Sequence, residues 1–325
     1  MQTLESIKAT ITRLDTCEVI DLNAFIARHI DNQCLQVALE RRAQALQKSA
    51  CGQCGFQALI RWGRSKAGTQ RFKCRNCKAT SGATNDTPFF RLRKRHLWSK
   101  YLGLMGRHLP LKAMPENGIG LSLPTLHRWR HRFLSALVAN PQTKLAGMIE
   151  ADEKFFRTSF KGSRGWKVKA PPQDRRARRR GGADQRGTGS QQVPTLTAMD
   201  RSGAICQTVL PNLQKASVLA AMAPWIEADS VICTDGHAAY PEVAKQTGCE
   251  HIVAKKRGQT VHGENTRGLS IGRIDAYHRD VENLINRRCM GVGTRYLMNY
   301  FGWSRRITQH KPFGGDWLGE MLGMV

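Results

Sequence analysis

Residues 148–156 read MIEADEKFF and residues 230–240 read SVICTDGHAAY, and these two stretches decide the fold of the chain. Met148–Phe156 has the apolar content of a strand, with Asp152 in the middle, where a carboxylate is costly unless it faces a site. Ser230–Thr234 is a short apolar run with the length of a buried strand. It ends at Asp235, the position at which α/β sheets place ligands. Glu153 falls on the opposite face of its strand from Asp152 by the two-residue period and reads as a surface residue.

Working outward, Val193–Met199 and Ala204–Leu210 form a hairpin around Asp200-Arg201-Ser202-Gly203. Lys215–Ile226 and His237–Thr247 read as helices, His251–Ala254 as a short strand, and Asp275–Cys289 and Arg295–Arg306 as closing helices. Three strands with a hairpin, then helix, strand, helix, strand and closing helices is the order of a ribonuclease H-like α/β domain with a mixed sheet, here residues 145–310. In that order the first and fourth strands are neighbours, which brings Asp152 and Asp235 together. Trp303 in YFGWSRR reads as core packing rather than a base-stacking platform.

Upstream, residues 51–77 read CGQCGFQALIRWGRSKAGTQRFKCRNC. Two C-x-x-C pairs, Cys51/Cys54 and Cys74/Cys77, form knuckles whose thiolates can converge on a tetrahedral Zn²⁺. Leu59–Trp62 and Gln70–Lys73 read as strands around a glycine-bearing turn, which makes residues 49–90 a zinc ribbon held together by its metal. A redox pair is the competing reading, and duplication at this distance argues against it. The remaining cysteines, Cys17, Cys34, Cys206, Cys233, Cys249 and Cys289, read as small core residues in a reducing compartment.

Residues 1–48 read as two or three amphipathic helices. In residues 91–140, His96–Arg107 is one helix. A second opens at Ser122 as N-cap with Pro124 in its first turn. Its apolar face is Leu126, Trp129, Phe133 and Leu137. Arg128, Arg130 and Arg132 lie on the basic remainder, the composition of a helix-turn-helix recognition helix. The fold class is therefore multidomain: N-terminal helices, zinc ribbon, helix-turn-helix, then the α/β domain, with residues 311–325 as a tail.

Charge points to the partner. The chain of 325 residues has a formal net charge of +26. Residues 1–48 are neutral, with six acids and six bases. Residues 49–150 carry eighteen Lys/Arg against three Asp/Glu, net +15, and residues 157–190 carry eleven against two, net +9. Concentrated excess of this kind argues for polyanion-binding surfaces. Residues 157–190 are an arginine-rich insertion between the first two strands, with Arg176, Arg178, Arg179 and Arg180. They read as a loop that orders on nucleic acid. No run of eighteen apolar residues exists and the N-terminus lacks a signal pattern, so a cytoplasmic, nucleoid-associated chain without membrane contact is expected.

The stretches IEADEKFFRTSFKGSRG, QVPTLTAMDRSGA, TDGHAAY and IDAYHRDVENLINRRCMGVGTRYLMNYFGW, preceded by the zinc ribbon, resemble transposases of a bacterial insertion-sequence group with an N-terminal zinc ribbon and a DDE-type domain. The resemblance covers roughly 250 residues. It implies recognition of the element's terminal inverted repeats, donor cleavage and strand transfer into target DNA. It also implies a dimer or larger assembly on DNA, and Mg²⁺ or Mn²⁺ as two catalytic ions, with Asp152 and Asp235 as the first two metal ligands. Two such ions roughly 3.5–4 Å apart would shield the phosphate and activate the oxygen nucleophile. The resemblance puts the variable third member at His278. Carboxylate chemistry favours Glu282, and Asp275 is a further candidate or a helix cap. No lysine stands in the family's downstream place, where Arg287 and Arg288 are the nearest cations. Two other readings are a DNA-binding protein with a decayed catalytic centre and a ribonuclease H-like structure-selective nuclease.

Overall fold

The computed structural model describes residues 4–139, 143–161, 191–254, 270–309 and 321–322. The arginine-rich run with Arg176, Arg178, Arg179 and Arg180 lies outside the described residues, as does most of the 311–325 tail. The chain forms two compact units. One is built by the described residues up to Arg107 with Leu111–Leu126 and residues 321–322. The other is built by His108–Pro110 and the described residues from His127 onward.

In the first unit, α1 (Leu4–Ile11) precedes α2 (Thr16–Gln47). Asp15 starts α2 through a reciprocal cap: its Oδ1 accepts from the Glu18 backbone N–H at 2.8 Å, and Glu18 Oε2 accepts from the Asp15 N–H at 3.0 Å. Leu35, Leu39 and Ala43 bury one face of the second half of α2. Cys17 and Cys34 are exposed, a correction to their reading as core residues. None of the described side chains between Thr16 and Cys34 is buried, so that half of the helix offers no core to join.

The ribbon follows as β1 (Leu59–Arg64), β2 (Gln70–Cys74) and β3 (Thr80–Gly82), an antiparallel sheet in that order. Next come α3 (Trp98–Gly106), preceded by one 3₁₀ turn, and α4 (Leu123–Ala139). Leu126, Trp129, Phe133 and Leu137 are all buried, the face expected from their spacing.

The second unit is a five-stranded mixed sheet of β4 (Met148–Arg157), β5 (Gln192–Asp200), β6 (Ile205–Val209), β7 (Val231–Thr234) and β8 (Glu250–Val253), in spatial order β6-β5-β4-β7-β8. β6, β5 and β4 are antiparallel neighbours, while β7 and β8 run parallel to β4. Along β4 alternate residues divide between the faces. Ile149 and Ala151 enter an apolar core with Leu196, Ala198, Val218, Met222, Ile232 and Val243, under α5 (Lys215–Met222) and α6 (Tyr240–Thr247). Glu150 and Asp152 meet α7 (Gly272–Glu282) on the other face, where α8 (Leu297–Gln309) covers β6.

The helix expected over Asp275–Cys289 is regular only to Glu282. Asn283–Arg288 continues it as a wider π-type turn, which leaves Arg287 and Arg288 exposed. Trp303 is fully buried, with the Arg130 guanidinium 5.1 Å from its ring centroid, so its expected place in the core is what the structure shows.

Candidate functional site

Two clusters of metal-ligating side chains occur among the described residues. The first is in the ribbon. Its knuckles are backbone turns: Gly55 N–H donates to the Cys51 carbonyl at 2.8 Å, and Cys74 N–H to the Ala79 carbonyl at 2.9 Å. They bring Cys51 Sγ to 3.6 Å from Cys77 Sγ and Cys54 Sγ to 3.7 Å from Cys74 Sγ, with all four sulfurs within 4.8 Å of one another. A Zn–S bond of about 2.3 Å in a tetrahedron requires sulfurs about 3.8 Å apart, so the four thiols fit zinc in number, chemistry and spacing. The Phe56 backbone N–H holds the Cys54 thiol down, at about 6, which favours the thiolate a metal needs.

The second cluster is at the carboxyl end of β7. β4 pairs with β7 only from Met148↔Val231 to Glu150↔Cys233, so residues of β4 beyond Glu150 have no β7 partner. Asp235 follows directly on β7 and fills that notch. Its backbone turn needs glycine next: Gly236 has φ 99°, and an added Cβ would stand 3.0 Å from Val253 Cγ1. Thr234 Oγ1 accepts from the Gly236 N–H at 3.1 Å and contacts His251 Nε2 at 2.9 Å, which ties the turn to β8.

Carboxylate oxygens of Asp152, Glu153 and Asp235 all lie within 4.8 Å of one another. An octahedral Mg²⁺ with bonds of about 2.1 Å spans about 4 Å between opposite oxygens, so the group is of the right size and donor type for a hard cation. Glu153 departs from its expected surface role. Strand alternation would send it away from Asp152, but the notch lets its longer side chain reach the same space. The Tyr240 hydroxyl donates to Glu153 Oε1 at 2.6 Å. Burial pushes the Glu153 carboxyl up, opposed by that hydrogen bond. Burial also holds the Tyr240 hydroxyl well above its ordinary value, so it remains a donor. The tyrosine closing TDGHAAY was the available signal, since a buried phenol needs a partner.

The candidates on α7 separate. His278 is buried and lies between Asp152 and Thr197, with Nδ1 3.4 Å from Asp152 Oδ2 and Nε2 2.9 Å from Thr197 Oγ1. Glu282 forms an ion pair with Lys154 at 3.0 Å. Asp275 lies in the first turn of α7, with its backbone N–H bonded to the Ile271 carbonyl. Neither Glu282 nor Asp275 belongs to the three-carboxylate group.

The three arginines of α4 also separate. Arg128 is exposed and Arg132 partly so. Arg130 is only 3% exposed, donates to the Leu109 carbonyl at 2.7 Å and stacks on Trp303, a correction to its reading as a DNA contact. It lies one residue from Trp129 on the helix and shares the apolar side, where its planar cation packs on an aromatic ring.

A mixed sheet with helices on both faces and carboxylates gathered at the end of a central strand defines an α/β domain with a candidate metal centre. Residues 144–302 match the family model of the ISXO2-like transposase domain. None of the curated proteins compared matches the chain. Among the described residues no helix is long and apolar enough to cross a membrane.

Proposed function

We propose that the chain is a DNA transposase of an insertion sequence, with a ribonuclease H-like catalytic domain that cuts and joins strands on divalent metal ions. The observation that carries this reading is the meeting of Asp152 and Asp235 in a domain that matches a transposase family model. The spatial order β6-β5-β4-β7-β8, the third, second, first, fourth and fifth strands of the domain, supports the ribonuclease H-like assignment.

Asp152 and Asp235 hold the metal, and Glu153 serves as the third carboxylate. His278, at the third position implied by resemblance, acts beside Asp152 and orients its carboxylate. Glu282 is engaged with Lys154. Bound there, divalent ions neutralise phosphate charge and supply an activated oxygen nucleophile for in-line displacement. The zinc ribbon and a helix-turn-helix within residues 91–140 read the terminal inverted repeats, with Arg128 and Arg132 reaching phosphates or base edges. The arginine-rich run containing Arg176 and Arg178–Arg180 grips flanking or target DNA.

The test uses a duplex carrying the inverted repeat that flanks the gene, incubated with the full chain, Mg²⁺ and a target plasmid. Wild type is expected to nick the repeat end and join it to the plasmid, while Asp152→Ala and Asp235→Ala do neither. Joining by either variant at the wild-type rate, or specific binding without any metal-dependent cleavage, overturns the reading.

A further inference from the structure

At the start of helix α7 the local side-chain acceptor is Ser270 Oγ, which takes the Gly272 N–H at 3.4 Å and leaves the next two N–H groups unserved. The N-cap residue, Ile271, offers no side-chain acceptor, yet the first backbone N–H groups of a helix need partners. They find one on the sheet: Glu150 Oε2 accepts from the Arg273 N–H at 3.0 Å and from the Ile274 N–H at 3.1 Å. Glu150 is 1% exposed, and its other oxygen lies 3.3 Å from the Arg201 guanidinium. A carboxylate is thus buried in the sheet at the positive end of a helix that begins more than a hundred residues later.

This cap is the first of three rungs. Glu150, Asp152 and Lys154 share one face of β4, and they meet respectively the Ile274 N–H, the His278 ring and the Glu282 carboxylate. Two residues of strand advance about 6.6–6.8 Å, and four residues of helix advance about 6 Å. The strand and the helix therefore stay in step over all three contacts. The middle rung is the His278–Asp152 contact. The third is half-exposed, so Glu150 is the buried anchor of the ladder.

We infer that Glu150 is a positioning residue: it fixes α7 in the register that sets His278 against Asp152. The inference rests on the proposed role of Asp152 for its consequence in catalysis, but not for the anchoring itself.

The test compares the full-length wild type with Glu150→Ala, Glu150→Gln and Glu150→Asp. It reads amide hydrogen exchange at Arg273 and Ile274, and Mg²⁺-dependent cleavage of an inverted-repeat duplex. Gln keeps an acceptor in place, whereas Asp withdraws it by one methylene. Glu150→Ala and Glu150→Asp are expected to speed exchange at both amides by about tenfold or more and to slow cleavage, with affinity for the duplex unchanged. Glu150→Gln should restore both protection and rate, and the Gln–Asp comparison decides the matter if the Ala variant does not fold. In a His278→Ala background, Glu150→Asp should cost little further rate, because the contact it serves is gone. Unchanged protection in Glu150→Asp, losses that multiply in the double variant, or failure of Gln to rescue would overturn the inference. A wild type that never cleaves DNA would instead count against the transposase reading, and the exchange measurement would still decide the role of Glu150.

Discussion

The Tyr240 hydroxyl and the Glu153 carboxylate are joined by a hydrogen bond of 2.6 Å that runs from the helix after β7 back to β4, 87 residues earlier. It sets a half-buried acid beside Asp152 and Asp235 and holds it there. Tyr240→Phe keeps the ring and its packing but removes the donor. Losing one hydrogen bond to a half-buried acceptor costs about 1 kcal/mol, so the variant should melt earlier and cleave DNA more slowly. A variant with wild-type melting temperature and cleavage rate would remove Glu153 from the proposed site.

Arg128 and Arg130 stand two residues apart and should fail in different ways. Arg130→Ala removes a buried cation from the Leu109 carbonyl and the Trp303 ring. It should lower stability by about 1–3 kcal/mol, seen as a reduced denaturation midpoint. Arg128→Ala should leave stability within about 0.5 kcal/mol. It should weaken DNA binding and reduce the slope of log affinity against log salt by about one. Equal effects of the two on DNA binding would restore the reading of both as DNA contacts.

Removal of the ribbon's metal should abolish its fold. Cys54→Ser is expected to lower the zinc content measured by atomic absorption and to weaken duplex binding, because a segment this small buries few side chains, chiefly Phe72, Ala83, Phe89 and two of the cysteines. Full zinc content in that variant would contradict the four-cysteine site.

The pH dependence of stability should carry a histidine signature. The His131 ring lies 4.3 Å from His127 and 4.1 Å from Tyr296 between ring centroids, with Tyr300 at 5.9 Å. Burial, then the charges of His127, Arg130 and Arg295, push it down to about 4. The unfolded chain, with an ordinary histidine near 6.5, binds this proton first as pH falls. Stability is therefore lost between about pH 6.5 and about pH 4, and is complete above that window. His131→Gln should flatten the melting temperature across this range, whereas an unchanged slope would assign the acid sensitivity elsewhere.

Much of this architecture was legible in the residues. The C-x-x-C spacing predicts the cysteine cluster because metal chemistry tolerates few alternatives, and the strands around Asp152 and Asp235 follow from apolar runs and a turn at Asp200. What was not legible depends on where pairing stops. Glu153 keeps its place in the strand alternation, but β7 pairing ends before it, and the notch beyond lets its carboxylate reach Asp152 and Asp235. Arg130 looks like a solvated charge because periodicity records spacing, not the presence of Trp303 across the core. Glu150 gives no local sign of capping a helix whose first residue is Gly272. The third catalytic position stayed open because His278 and Glu282 share a helix face, and only their partners on β4 tell them apart.

The proposed catalysis requires that Asp152 and Asp235 touch the same metal. The most direct measurement is cleavage of the inverted-repeat duplex by Asp152→Cys and Asp235→Cys in Mg²⁺ and in Mn²⁺, beside the wild type. A loss of roughly a hundredfold or more is expected in Mg²⁺, with activity returning in Mn²⁺, because a thiolate ligates the softer ion far better than Mg²⁺. Wild-type cleavage by either variant in Mg²⁺ would contradict that requirement.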